Sequence, residues 1–155
     1  MNKTKVPRKP LKRTDPKPDP KETKWDLWRE PTDAHAMQSK ILAGFPFGTL
    51  EKLRQYTGLP MDAVLSLIRI PARTLARRKV DGKLSPDESE RVYRVITVFR
   101  AIIKLFDGNT NAARKWFESP SRALGAKTPQ EMIVTEVGAQ EVLDIVCRLE
   151  YGVYT

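Results

Sequence analysis

The chain has 155 residues, of which 40% are hydrophobic, and a net charge of +9, which suits one ordinary domain or two small ones. No stretch approaches the roughly 20 apolar residues of a membrane span, and the basic N-terminus lacks the apolar segment of a signal peptide, so the sequence predicts a cytoplasmic protein. The single cysteine excludes an internal disulfide. One cysteine and one histidine are also too few for a zinc site, which draws about four nitrogen or sulfur ligands.

Most of the positive charge lies in the first 24 residues. They hold nine Lys or Arg residues against three acidic ones, which is +6 of the net +9, together with five prolines. Prolines remove backbone donors and bias the preceding residue toward extended geometry, so residues 1–31 are predicted to form a disordered basic arm. The arm either keeps the chain soluble or adds non-specific contacts with phosphates.

From residue 32 onward the apolar residues recur at helical spacing, and the sequence predicts an all-α fold. The clearest helix start is at Ser85, where a capping hydroxyl is followed by a proline at the first helical position and by Glu88, which can bond back to the cap. The predicted helices of this part cover residues 34–42, 47–57, 60–68, 72–80 and 86–106.

Residues 61–80 have the pattern of a helix-turn-helix, which is two helices separated by a short break. The four positions where this motif needs apolar residues hold Val64, Ile68, Ile70 and Leu75. With those side chains directed inward, the second helix displays small alanines that let it enter a major groove and arginines that reach guanine edges or phosphates. The predicted DNA-binding residues are Arg69, Ala72, Arg73, Thr74, Arg77, Arg78 and Lys79. The alternative is a helical bundle with a merely solvated basic face.

Residues 108–155 are predicted to form a second, smaller helical unit, after a helix-turn-helix domain at 32–107. It has an apolar stripe within 112–117, a brief helix within 128–133 and a last helix at 139–151. Cys147 lies beside the apolar stripe of that last helix and is predicted to be a small core residue.

Two sets of motifs resemble those of the Xre-type antitoxins in the Xre/MbcA/ParS group. The runs Ile70–Lys79 and Gly82–Arg91 are similar to the helix-turn-helix half of these proteins. The second set resembles their toxin-binding domain and comprises Ala112-Ala113, Trp116, Ala123-Leu124-Gly125, Thr128-Pro129, Thr135-Glu136, Gly138 and Arg148–Tyr154. The resemblance covers about residues 45–155.

This resemblance implies an antitoxin of a type II toxin–antitoxin pair that is not itself catalytic. The implied partner is a RES-domain toxin that depletes cellular NAD. In such pairs the C-terminal domain covers the toxin, its terminal segment obstructs the NAD-binding cleft, and the helix-turn-helix represses the shared operon. The toxin-binding residues implied for this chain are Arg148, Glu150, Tyr151, Gly152, Val153, Tyr154 and Thr155.

The predicted partners are therefore the toxin and operator DNA. A homodimer is also expected, because a single recognition helix covers too few base pairs for a specific site. One rival is a stand-alone transcriptional regulator that senses a metabolite or a partner through residues 109–155, and another is a structural adaptor that does not bind DNA.

An enzyme is a third rival, but the sequence offers no catalytic residues for it. His35 has no cysteine or serine beside it in a motif, and the acids Asp87, Glu88 and Glu90 are explained by their place in the first turn of a helix. No glycine-rich phosphate loop is present, so no cofactor is expected.

Overall fold

The fold is all-helical. A computed structural model describes residues 33–152, and within this range the chain forms eight α-helices and one short 3₁₀ helix, with no β-strand. The helices are α1 (Ala34–Ala43), α2 (Thr49–Thr57), α3 (Met61–Leu67), α4 (Ala72–Asp81), α5 (Pro86–Leu105), α6 (Thr110–Phe117), the 3₁₀ helix (Arg122–Leu124), α7 (Pro129–Met132) and α8 (Glu136–Tyr151). The prediction of an all-α fold is confirmed, and the predicted disordered arm lies outside the described residues. No helix between residues 33 and 152 is long and apolar enough to cross a membrane.

The long helix α5 lies at the centre of the fold. It contacts α1 and α2 on the N-terminal side of the chain and α6 and α8 on the C-terminal side. Phe99 is fully buried in it and makes edge-to-face contacts with Tyr56, at a ring distance of 5.8 Å, and with Phe117, at 5.5 Å. A single hydrophobic cluster consequently runs from Met37 to Val146, and the helices before and after α5 share one core.

The last helix differs from its predicted start. α8 begins at Glu136, one turn earlier than the predicted residue 139. The side chain of Thr135 caps it, since its hydroxyl oxygen accepts a hydrogen bond of 3.1 Å from the backbone N–H of Gly138. A glycine so close to the cap masks the helix start in the sequence, because glycine disfavours a helix interior. The 3₁₀ helix was also absent from the predicted elements.

The predicted burial of Cys147 is wrong, because the structure exposes this residue. α8 buries a stripe that includes Val142, Ile145 and Val146. Each residue advances the helix by about 100°, so the residue after Val146 turns away from the core. Leu149, three residues after Val146, is 39% exposed, since it lies near the end of the helix.

Candidate nucleic-acid interface and C-terminal binding end

The helix-turn-helix is formed by α3, the turn at 68–71 and α4. Of the four apolar positions predicted to point inward, Val64, Ile68 and Ile70 are buried and Leu75 is half-buried against the same core. These contacts hold α3 and the turn in the core and leave most of α4 on the surface. The inward direction predicted for the four side chains is confirmed.

The turn between α3 and α4 is closed by backbone hydrogen bonds. The N–H of Ile70 donates to the carbonyl of Leu65 at 3.0 Å, and the N–H of Arg69 donates to that of Ser66 at 3.3 Å. This pattern places Arg69 in the left-handed conformation, with φ of 55°, where helices usually have glycine. Arg91 on α5 supports the turn from below, since its Nε donates to the carbonyl of Ile68 at 2.7 Å.

The outward face of α4 carries a row of exposed residues at helical spacing. No residue of α4 is buried, and Arg73, Ala76 and Arg77 are all exposed. Val80 extends the row and is 88% exposed. Two guanidinium groups between small apolar side chains suit a helix that enters a major groove, where the arginines reach guanine or phosphate and an apolar group contacts the thymine methyl.

Val80 was missed as a candidate by sequence reasoning. The signal for it was available, because Val80 lies four residues after Ala76 and seven after Arg73 on the same helix face. Of the other predicted DNA-binding residues, Arg69, Ala72 and Lys79 are exposed and Thr74 is half-buried. Their contacts with DNA stay predictions.

Arg78 differs from the other basic residues of α4, because it is engaged within the fold. Its Nε donates to the Glu88 carboxylate at 2.7 Å and its Nη1 to Asp81 at 3.4 Å, which leaves 18% of the side chain exposed. The pair joins α4 to the first turn of α5. Arg78 therefore helps to fix the orientation of α4 and does not belong to its exposed row.

Glu88 is the centre of a capping box at the start of α5. Its carboxylate accepts a hydrogen bond of 2.8 Å from the backbone N–H of Ser85, whose hydroxyl accepts one of 3.2 Å from the N–H of Glu88. Burial raises the pKa of this carboxyl, but the hydrogen bond from Arg78 and those from Ser85 outweigh it, and the pKa of Glu88 lies below its ordinary value of 4.5. Glu88 is consequently ionised in the neutral range.

Glu88→Gln is expected to lower the free energy of unfolding at neutral pH by roughly 1–3 kcal/mol, because the amide lacks the negative charge that pairs with Arg78. Since the pKa is lower in the folded chain, the carboxylate stabilises the fold above about pH 4.5, and that contribution is lost as the pH falls through the folded pKa. Denaturant unfolding followed by circular dichroism across this range measures the effect. Asp87→Asn, an exposed change in the same turn, is the control and should cost less. A difference between Glu88→Gln and wild type that does not shrink in acid would contradict this assignment.

The second candidate site is the C-terminal end of α8. Arg148, Glu150, Tyr151 and Gly152 are exposed, with Tyr151 at 72%. Glu150 lies 3.0 Å from the ammonium of Lys104 on α5, and Gly152 ends the helix with its N–H bonded to the carbonyl of Arg148. The remaining predicted residues, Val153, Tyr154 and Thr155, lie outside the described residues. An exposed tyrosine at a helix end is typical of residues that bind partners.

No cluster of three or more His, Cys, Asp or Glu side chains that could hold a metal ion occurs between residues 33 and 152. The two candidate sites consist of exposed arginines on α4 and of an exposed tyrosine on α8.

Two protein families match successive parts of the chain. The family described as "Antitoxin Xre-like helix-turn-helix domain" matches residues 36–96, and that described as "Antitoxin Xre/MbcA/ParS C-terminal toxin-binding domain" matches residues 103–152. The first range contains α4, and the second contains all of α8.

Individual relatives extend over most of the chain. A protein named "Antitoxin Xre" from Yersinia enterocolitica serotype O:8 / biotype 1B is 34% identical over 134 residues, which are 83% of this chain and 90% of the relative. Another of that name from Photorhabdus laumondii subsp. laumondii is 32% identical over 132 residues, covering 82% of this chain and 89% of the relative. A third, from Pseudomonas putida, is 28% identical over 120 residues, or 75% and 72% of the two chains.

Proposed function

This chain belongs to the Xre antitoxin family, and from that premise we propose that it neutralises a RES-domain toxin by obstructing the toxin's NAD site and represses the operon that encodes both proteins. It has the family's helix-turn-helix and toxin-binding domains, so DNA and a cognate toxin are its partners. The observation that carries the proposal is that both domains occur on one chain, in this order, with similarity to named antitoxins over most of its length. The proposal goes beyond the family assignment in two respects, which are the identity of the toxin and the obstruction of its NAD site.

On the DNA side, we assign operator recognition to the exposed row of α4. Arg73 and Arg77 contact base edges or phosphates, while Ala76 and Val80 allow the helix close to the groove floor. The protein binds as a homodimer, because two recognition helices are needed to cover an operator of specific length. The proposed DNA-binding domain spans residues 32–107, and the basic arm at 1–31 either keeps the chain soluble or adds contacts with phosphates that depend on salt.

On the toxin side, residues 108–155 form the binding domain and the end of α8 directs the terminal segment into the toxin. Tyr151, and Tyr154 beyond the described residues, provide aromatic rings of the kind that fill apolar pockets at the centre of an interface. Arg148 and Glu150 flank the first of these rings on an exposed helix end and contribute polar contacts at the rim. The segment thereby excludes NAD sterically.

Co-expression with the product of the adjacent gene tests the proposal. The adjacent gene alone should arrest growth and deplete NAD. Co-expression of this chain should restore growth and the NAD level through a complex that can be isolated. A harmless neighbour and no complex would contradict the antitoxin assignment for this pair and favour a stand-alone transcriptional regulator.

Deletion of Val153–Thr155 should weaken neutralisation while leaving operator binding intact, because the deleted residues are remote in sequence from α4. Growth protection and NAD level measure the first effect, and a gel-shift titration measures the second. The reciprocal control is Arg73→Ala, which should weaken operator binding and keep full neutralisation. Full protection by the shortened chain would argue against obstruction by this segment.

A further inference from the structure

A cleft of about 270 Å³ opens between α5 and α8. Its lining includes Tyr93, Thr97, Arg100, Lys104, Leu143 and Glu150. The cleft is close to the C-terminal binding end, because Glu150 belongs to both. None of the functions assigned above uses Arg100 or Thr97.

The cleft contains buried polar atoms that lack a hydrogen-bond partner among the described residues, and two of them belong to Arg100. Its Nε and Nη2 are buried and make no hydrogen bond with any residue between 33 and 152, and the same holds for the hydroxyl of Thr97. Buried polar groups in folded proteins are nearly always hydrogen-bonded, and an unpaired buried charge is strongly unfavourable. Two guanidinium nitrogens and a hydroxyl kept in this state beside one cleft indicate a site where an acceptor binds.

The geometry of these atoms specifies the acceptor. Nε and Nη2 lie on one edge of the guanidinium and point their N–H bonds in parallel, which is the arrangement that binds the two oxygens of a carboxylate. The other charges lining the cleft are Lys104 and Glu150, which pair with each other at 3.0 Å. Their charges offset each other, so Arg100 leaves the cleft with a net positive charge.

We propose that this cleft receives a carboxylate side chain of the cognate toxin, which binds to Arg100 through both oxygens and accepts a further hydrogen bond from Thr97. The proposal rests on the proposed function, since it assigns a specific contact to the toxin interface. Tyr93 and Leu143 provide apolar walls that exclude water from the ion pair, and arginine and tyrosine are residues that dominate binding energy at interfaces. A buried pair of this kind adds specificity as well as affinity.

The test compares Arg100→Met with wild type in calorimetric titrations against the purified toxin encoded beside this chain. We expect the dissociation constant to rise by about 30-fold or more, because the toxin carboxylate loses its partner. We expect the free chain's midpoint of thermal unfolding to stay equal or to rise, since methionine replaces a side chain with two buried nitrogens that lack a partner among residues 33–152. Arg100→Lys keeps the positive charge but lacks the two parallel N–H groups, so its affinity for the toxin should lie between those of Arg100→Met and wild type. Lys52→Met removes one positive charge from an exposed position of α2 and should leave toxin affinity unchanged.

The outcomes separate this proposal from the proposed function. Wild-type affinity in Arg100→Met would overturn the cleft assignment and leave the antitoxin function in place, whereas a wild-type chain that does not bind the toxin would overturn both. A lower unfolding midpoint of free Arg100→Met would show that Arg100 already has a partner within its own chain, which also overturns the assignment. Arg100→Glu should prevent binding to the wild-type toxin. If changing one acidic residue of the toxin to lysine restores binding, the result supports the ion pair and identifies the carboxylate.

Discussion

Gly138→Ala is expected to lower the free energy of unfolding by about 3 kcal/mol. A Cβ at this position would lie 1.9 Å from the carbonyl oxygen of Met132 and 2.8 Å from its carbonyl carbon. Both atoms belong to the backbone at the end of α7, so no side-chain rotation relieves the overlap. The start of α8 would have to move away, and the cap from Thr135 would be strained with it.

This displacement should also reduce toxin neutralisation, because α8 carries the residues that are proposed to bind the toxin. Chemical denaturation followed by circular dichroism measures stability, and growth protection measures function. Gly48→Ala is the matched control: its φ is −61° and no atom lies within 4 Å of the added Cβ. Wild-type stability in Gly138→Ala would contradict the close approach of α7 and α8.

The second large effect is expected in operator binding. Arg73→Ala and Arg77→Ala should each weaken specific binding by about 1–3 kcal/mol, and the double variant should lose more than either. Both side chains are exposed, so the fold should keep its stability. Fluorescence anisotropy with operator DNA and with a scrambled duplex, at two salt concentrations, measures the loss. Arg122→Ala removes the same charge from an exposed position of the 3₁₀ helix and serves as the control.

The pattern of this loss distinguishes two kinds of contact. A loss that depends on the operator sequence indicates that the arginines read bases, while a uniform loss with a smaller salt slope indicates phosphate contacts. Operator affinity in the double variant equal to that of Arg122→Ala would refute the assignment of α4 as the recognition helix.

Helix starts were predictable where their signals are local. Ser85 with Glu88 forms the capping box that the sequence predicts from residues three apart, and Thr128 with Glu131 forms a second one. The start of α8 was not predictable in this way. Gly138 weakens the helical pattern, and the reason for a glycine there is its contact with the backbone of Met132.

The candidate DNA-binding face was predictable in outline for a similar reason. A helix-turn-helix has apolar residues at set positions, and their burial determines which side of α4 faces outward. The separation of Arg78 from the exposed row was not predictable, because its partner Glu88 is ten residues away on another helix. Arg100 is a comparable case: no pattern in the sequence distinguishes it from the exposed arginines of the chain.

By itself, the sequence determined the helical class, the helix-turn-helix with its basic face, and the family through two ordered sets of motifs. These depend on spacing within a few residues, which periodicity and capping chemistry reveal. Only the tertiary structure decided that α5 joins both halves in one core, that Cys147 faces solvent, and that Arg78 is paired while Nε and Nη2 of Arg100 find no partner among residues 33–152. Such features depend on how helices that are distant in sequence pack against each other, because a side chain's environment comes from all the elements around it.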